Sequence, residues 1–344
     1  MRGTFISGFF VVALIAGAVS SAVAQQKPPA RGIVNITGQL YRAQNDNHYT
    51  VFLVTPEGII MSDPISRDFA RWLKAEFATR FKTPVRYVLY THKDWDHVSG
   101  GSVFADTAEF VGHVNMRAAL ALPPGTPPLP ADVEKTDANR NGHIERSEAA
   151  GAIAATFDLS DQNGDGVLTG AEVRRGPVND VHPPTTTYRD RHTVTLGGKR
   201  AMLVHLGVAH TDDSSVVYFP DERTVFSVDI MQVKRLPMNV TPTVGLYIDA
   251  LRTILSLDFD HAATGHALMG TRSDAQESLQ YLEDLSSGVA AGIGAGRSLQ
   301  DIQKTLTLDK YKGFERWDTH RTVHIAQVYE LLKGARRTGA TPTN

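Results

Sequence analysis

The sequence predicts an α+β protein with a small helical insert, its opening compatible with one half of a four-layer αββα sandwich. Three observations carry this. Strand-like runs followed by amphipathic helices appear in both halves of the chain. Two proline-rich stretches, Leu122–Pro130 and Gly176–Pro184, bracket a segment of different composition. Finally, the apolar run Val85–Tyr90 ends in Thr91–Gly101 (THKDWDHVSGG), a loop with two histidines and two aspartates packed into six positions.

Taken in order, Met1–Ala24 reads as a secretory signal. Arg2 is its positive end, Phe9–Ala18 its apolar segment and Ala22-Val23-Ala24 its cleavage site. The expected address is periplasmic or secreted, with no stable membrane insertion after cleavage. The mature chain, about 320 residues (344 − 24), is ample for a core. There is no cysteine, so the fold has no disulfide and any metal site has no thiolate. A formal charge of −2 points away from nucleic acid and from acidic membranes. Oligomeric state is not legible.

Gly32–Tyr41, His48–Val54 and Gly58–Ser62 read as strands joined by turns at Gln44–Asn47 and Pro56–Gly58. Ser66 is a good N-cap for a helix over Arg67–Phe81, whose stripe of Phe69, Trp72, Leu73, Phe77 and Phe81 is core. A strand at Glu109–His113 and a short helix ending near Leu122 complete residues 25–122, the first part of the sandwich. Residues 123–184 form the insert with its linkers, and residues 185–344 the second part. There, Thr185–Asp190, His192–Leu196 and Arg200–Leu206 read as strands of the second sheet. Ser214–Phe219 and Thr224–Val228 follow, then helices at Gly245–Leu257, Ser273–Ile293 and Arg321–Leu332. No nucleotide-binding glycine loop and no G-x-S-x-G elbow is present.

His92, Asp94, Asp96 and His97 offer neutral nitrogen and charged oxygen at a strand end, a mixture that suits zinc, iron or manganese. Gly100 and Gly101 let the chain turn tightly behind them. Three further candidates sit beyond strands: His210 in GVAHTDD, Asp229 in VFSVDIM and His266 in ATGHALMG. A lone histidine is more often structural, and His113, His205 and His261 are read that way.

His92, Asp96, His97 and Gly100 resemble the HxHxDHxxG signature of the metallo-β-lactamase-fold hydrolases, with Asp94 in place of the second histidine. The resemblance implies a dinuclear centre. His92, Asp94 and His210 would hold one metal, Asp96, His97 and His266 the other, and Asp229 would bridge them together with a hydroxide. Asp96 is also the candidate catalytic residue. Two metals about 3.5–4 Å apart acidify and orient the attacking water. Zinc is the first expectation for both, with iron or manganese as alternatives, because the Asp94 carboxylate is harder than imidazole.

Within the insert, Asp137–Glu148 and Asp161–Glu172 both satisfy the twelve-residue EF-hand pattern. The expected calcium ligands are Asp137, Asn139, Asn141, His143 and Glu148 in the first loop, and Asp161, Asn163, Asp165, Val167 and Glu172 in the second. The loops start 161 − 137 = 24 residues apart, leaving one helix of about Arg146–Phe157, a spacing that resembles dockerin-like modules.

The reading is therefore a dinuclear metallohydrolase of an ester, lactone, lactam, thioester or phosphoester, with a calcium-stabilised insert, which makes a small-molecule substrate the expected partner. Lys234 and Arg235 are either a solvated basic pair or a contact for an anionic substrate. A diiron oxidoreductase on the same ligands is one alternative, since a redox branch of the fold carries a carboxylate where Asp94 stands. A calcium-dependent binding protein with an inactive hydrolase fold is the other.

Overall fold

A computed structural model describes residues 29–240 and 244–338. The expected signal at Met1–Ala24 lies outside the described residues. Among the described residues, no helix is long and apolar enough to cross a membrane.

The chain opens with β1 (Arg31–Thr37), β2 (Leu40–Asn45), β3 (His48–Thr55) and β4 (Gly58–Met61), an antiparallel meander. The single strand expected over Gly32–Tyr41 is two strands: Gly38, at φ 52°, adopts the left-handed backbone of a tight turn. Helix α1 (Arg67–Glu76) is capped by the Ser66 side chain, which accepts from Phe69 N–H. It ends in a π turn, Phe77–Phe81, closed by Lys82 in the left-handed region. β5 (Val85–Leu89) then runs parallel to β4 and leads into α2 (Trp95–Val98). β6 (Glu109–His113) and α3 (Val114–Leu120) follow.

The insert comprises α4 (Ala131–Glu134), β7 (Ile144–Glu145), α5 (Gly151–Ser160), β8 (Val167–Leu168) and α6 (Gly170–Arg175). Its middle helix starts later than expected. Glu148 and Ala149 N–H groups turn back onto Glu145 O, and Gly151 takes φ 57°, so Arg146–Ala150 close the first loop instead. β7 and β8 pair antiparallel, with Ile144 opposite Leu168, over a small core of Leu129, Ile144, Phe157 and Leu168.

β9 (Thr186–Tyr188) corrects a second expectation. It joins the first sheet, parallel to β6, and not the second. The insert is thus a detour between two neighbouring parallel strands. The second sheet is β10 (Arg191–Leu196), β11 (Lys199–His205), β12 (Ser215–Phe219), β13 (Thr224–Ser227), β14 (His261–Thr264) and β15 (Gly270–Thr271) in that spatial order. Over its outer face lie α7 (Val244–Leu255), α8 (Arg272–Gly294), α9 (Leu299–Thr305) and α10 (Trp317–Thr338). β14, β15 and α9 were not foreseen.

Three apolar layers make the four-layer stack. Phe52, Phe69, Phe77 and Phe110 fill the space between the first sheet and its helices. Val51, Leu89, Val217 and Phe226 fill the space between the sheets. Tyr247, Leu251, Leu285 and Ile325 fill the outer layer of the second half. Both faces of the first sheet being covered, Ile59 and Met61 toward the helices and Ile60 toward the second sheet, explains why β4 reads as an unbroken buried run, Gly58–Met61.

Candidate metal centre

Four segments deliver donors to one end of the sandwich. The β5–α2 loop brings His92 and Asp94, and α2 itself Asp96 and His97; the β11–β12 connection brings His210. The chain past β13 brings Asp229, and the chain past β14 brings His266. β13 and β14 are parallel neighbours, so Asp229 and His266 emerge at the same edge. Gly100 permits the tight fit of the first loop: at φ 84°, a Cβ there would lie 2.5 Å from Ser66 O.

The donors converge on two positions. Around the first, His92 Nε2 lies 3.5 Å from Asp94 Oδ2 and 3.3 Å from Asp229 Oδ2. His210 Nε2 lies 3.0 Å from Asp94 Oδ2 and 3.7 Å from Asp229 Oδ2. Around the second, His97 Nε2 is 3.4 Å from Asp96 Oδ2, 3.4 Å from Asp229 Oδ2 and 3.1 Å from His266 Nε2. His266 Nε2 is 3.4 Å from both Asp96 Oδ2 and Asp229 Oδ1. Asp229 thus touches both groups and belongs to two of the three sets of potential metal donors. All seven residues expected from the sequence are brought together.

A buried carboxylate that the sequence reading missed orients this cluster. Asp63, just past β4, accepts from Thr91 N (2.9 Å) and Thr91 Oγ1 (2.6 Å), and lies 3.5 Å from His97 Nδ1. Thr91 has given its one hydroxyl proton to Asp63, so at 3.1 Å it accepts from His92 Nδ1–H. That tautomer leaves the Nε2 lone pair of His92 facing the centre. Asp229 itself takes φ 58°, a left-handed backbone that costs a non-glycine residue about 1–3 kcal/mol.

The residues fit divalent metals. His92 Nε2, turned toward the first position, is a buried atom without a hydrogen-bond partner. With neutral histidines, three carboxylates leave the seven-residue cluster at −3. Burial disfavours charge on His92, yet Asp229 and Asp94 outweigh it and hold that ring up to about 10. Burial likewise opposes charge on His97, but Asp229, Asp63 and Asp96 raise it well above the ordinary range. Burial works against the Asp229 carboxylate too, and contacts from His92 and His97 keep it well below the usual range. Burial lowers His266 to about 4. The carboxylates thus favour positive charge at the centre, which a bound cation would supply in place of protons on His92 and His97.

Other expected residues fall elsewhere. Lys234 pairs with Glu277 and Asp274 on α8, so it does not reach the centre free. Arg235 is buried; it donates to His266 O at 2.5 Å and pairs with Glu315 at 3.1 Å. It holds the His266 loop. His113 and His205 stack on each other at 4.0 Å, as structural residues.

The two insert loops curl around their acidic ends. Asp137 accepts from Asn141 and Gly142 N–H, and Glu148 from Ala138 and Asn139 N–H. Asp161 accepts from Gly164, Asp165 and Gly166 N–H, and Glu172 from Gln162 and Thr169 N–H. Asn139 and Asn141 donate to Glu145, His143 N–H to Asn141, Asn163 to Asp165, and Val167 N–H to Asp165.

A family model described as the metallo-beta-lactamase superfamily matches residues 66–266. A linear primary-alkylsulfatase of Pseudomonas sp. (strain ATCC 19151) is 27% identical over 205 residues, 59% of this chain. The match covers 37% of that relative, so the chain spans little more than a third of its length. A metallo-beta-lactamase from Pontibacter korlensis superposes with a TM-score of 0.51 at 16% identity, over 74% of this chain and 99% of that one. A stereoselective inverting sec-alkylsulfatase from Pseudomonas sp. gives 0.60 at 13% identity, over 88% of this chain and 50% of the other. At such identities the two structures share a fold with this chain. The family match takes in more than half the sequence and every one of the seven converging donors, and the chain belongs to the metallo-beta-lactamase superfamily.

Proposed function

We propose that this protein is a periplasmic or secreted dinuclear metal-dependent hydrolase of an ester-like substrate. The observation that carries the reading is the convergence of His92, Asp94, His210 and Asp229 beside Asp96, His97, His266 and the same Asp229. Bound there, two divalent metals, zinc first, would supply Lewis-acid activation of water and of the scissile group. The chain's own residues do the rest. Thr91 and Asp63 lock the His92 tautomer. Burial opposes the Asp96 charge, but His48 and His97 keep it ionised.

Sulfate esters stand first among substrates to try, followed by carboxylic esters, lactones, lactams, thioesters and phosphoesters. The curated relative is an alkylsulfatase. Three exposed apolar side chains also lie within two residues of a ligand: Trp95 at 43% exposure, Val208 at 50% and Leu268 at 66%. They are suited to an apolar substituent. We read the insert as a calcium-stabilised pair of EF-hand-like loops, supported by the loop pattern and the Ile144–Leu168 ribbon.

The deciding experiment is metal content by mass spectrometry on protein purified without chelator, with a hydrolase substrate panel. Two transition-metal equivalents and turnover of one ester class are expected. A second reading, a diiron oxidoreductase, draws on the Asp94 carboxylate at the first position. Iron with an optical redox transition and no hydrolysis would replace the first reading with the second. The address is tested by terminal analysis of mature protein, which should begin near Gln25.

A further inference from the structure

His48 lies outside the family-matched residues 66–266, and no motif marks it. It opens β3 at the tip of the β2–β3 hairpin, opposite Asn45. That tip is fastened to the loop carrying His266. Tyr49 N–H donates to Gly265 O at 2.8 Å. Arg42 reaches Thr264 O at 2.8 Å and Ala267 O at 2.5 Å. The rings of His48 and His266 meet edge to face, 4.8 Å between centroids.

The fastening delivers His48 Nε2 to 3.3 Å from Asp96 Oδ2. The same oxygen is 3.4 Å from His97 Nε2 and 3.4 Å from His266 Nε2. Donors sharing one ion at about 2.0–2.1 Å must stand roughly 3.0–3.6 Å apart along the edges of the coordination figure. His48 keeps that edge distance to Asp96, as the other donors do. His48, Asp96 and His266 also have ligand atoms within 4.8 Å of one another.

We propose that His48 is a fifth protein donor at the second metal position, beside Asp96, His97, His266 and the shared Asp229. The inference rests on the dinuclear reading. It makes the two positions unequal: the first has two imidazoles and two carboxylates, the second three imidazoles and two carboxylates. Nitrogen-rich sites favour zinc over manganese, so the second position should be the tighter for zinc and the first the more exchangeable.

Cobalt(II) titration of the metal-free full chain, against a competing chelator, tests this. Wild type should bind two equivalents. In His48→Ala, one binding event should weaken by about tenfold or more while the other holds. The cobalt absorption of the weakened position should intensify as five donors become four. His48→Gln can hydrogen-bond Asp96 but presents no imidazole, so it should behave like His48→Ala. Circular dichroism melts of the metal-free variants should match wild type, which separates ligand loss from misfolding. Two unchanged events and an unchanged spectrum in His48→Ala overturn the proposal. Full restoration by His48→Gln also overturns it, and leaves only a hydrogen bond to Asp96. Wild type binding fewer than two equivalents sinks the dinuclear reading itself, a result the variants cannot mimic.

Discussion

At the rim of the sandwich, donors arrive from segments separated by as many as 266 − 92 = 174 residues, whereas each insert loop draws its candidate ligands from twelve consecutive residues. The rim depends on both sheets being formed and packed, because Asp229 and His266 are placed by a parallel strand pair and His92 by the other sheet. Its shape is set by the core before any ion binds. The insert has a core of four buried side chains, Leu129, Ile144, Phe157 and Leu168, and a ribbon of two residue pairs. It has far less burial to hold its loops, and an ion bound there would contribute folding free energy directly. Losing the ion should therefore cost the rim its chemistry and the insert its order.

Removing a rim ligand is the severest test of that contrast. His97→Ala or Asp229→Ala should drop activity by several orders of magnitude and lose at least one metal, while the melt of the metal-free core changes little. His205→Ala, which breaks a stacked pair with His113, should instead shift the melt and spare metal content. Full turnover and full metal in Asp229→Ala would place the centre elsewhere.

Next in size is the support behind the ligands. Asp63→Asn keeps the shape but weakens acceptance from Thr91 and removes the negative charge 3.5 Å from His97 Nδ1. Metal affinity should fall about 10–100-fold. An unchanged affinity by chelator competition would mean that packing alone orients His92 and His97.

A smaller effect is expected from Asp94→His, which keeps a ligand but softens it. Protein from mixed-metal growth should show a raised ratio of zinc to iron or manganese. If the ratio stays put, Asp94 does not coordinate, whatever its distance of 3.0 Å from His210.

These two sites were unequally legible in the sequence, for a physical reason. His92, Asp94, Asp96 and His97 announce themselves by spacing, and so do the insert loops, because contiguous donors leave a pattern. His210, Asp229 and His266 were legible only as the right residue types past strands. Asp63 and His48 were missed: a lone aspartate before proline reads as a turn, and a histidine opening a strand reads as a strand residue. Only sheet register brings them to the centre. The same blindness misplaced β9, since no local signal tells which sheet a strand joins after a long detour. The positive φ of Asp229 likewise has no mark in its neighbours.

The smallest expected effect on turnover, and the sharpest on the comparison, is calcium removal. Both loops use the same scaffold, with the first aspartate and the last glutamate each accepting backbone N–H groups. They differ in charge. The second loop carries Asp161, Asp165 and Glu172 at its first, fifth and twelfth positions, and the first carries Asp137 and Glu148, with asparagines at the third and fifth positions. Glu145 in the first loop is already engaged by Asn139 and Asn141. Since ligand charge tunes affinity, the second loop should bind more tightly, with both near the 10⁻⁴–10⁻³ M range, roughly, of extracellular modules. Calcium should slow protease cleavage within residues 123–184 and leave the metal-centre activity nearly unchanged. Calorimetry on Glu172→Gln should lose the tighter event, and on Glu148→Gln the weaker one. The reverse assignment would show that neutral asparagine oxygens outweigh charge here. If neither variant alters calcium binding, the loops are polar turns, and the insert is held by its small core and by ties to the first half such as Arg67 with Asp180.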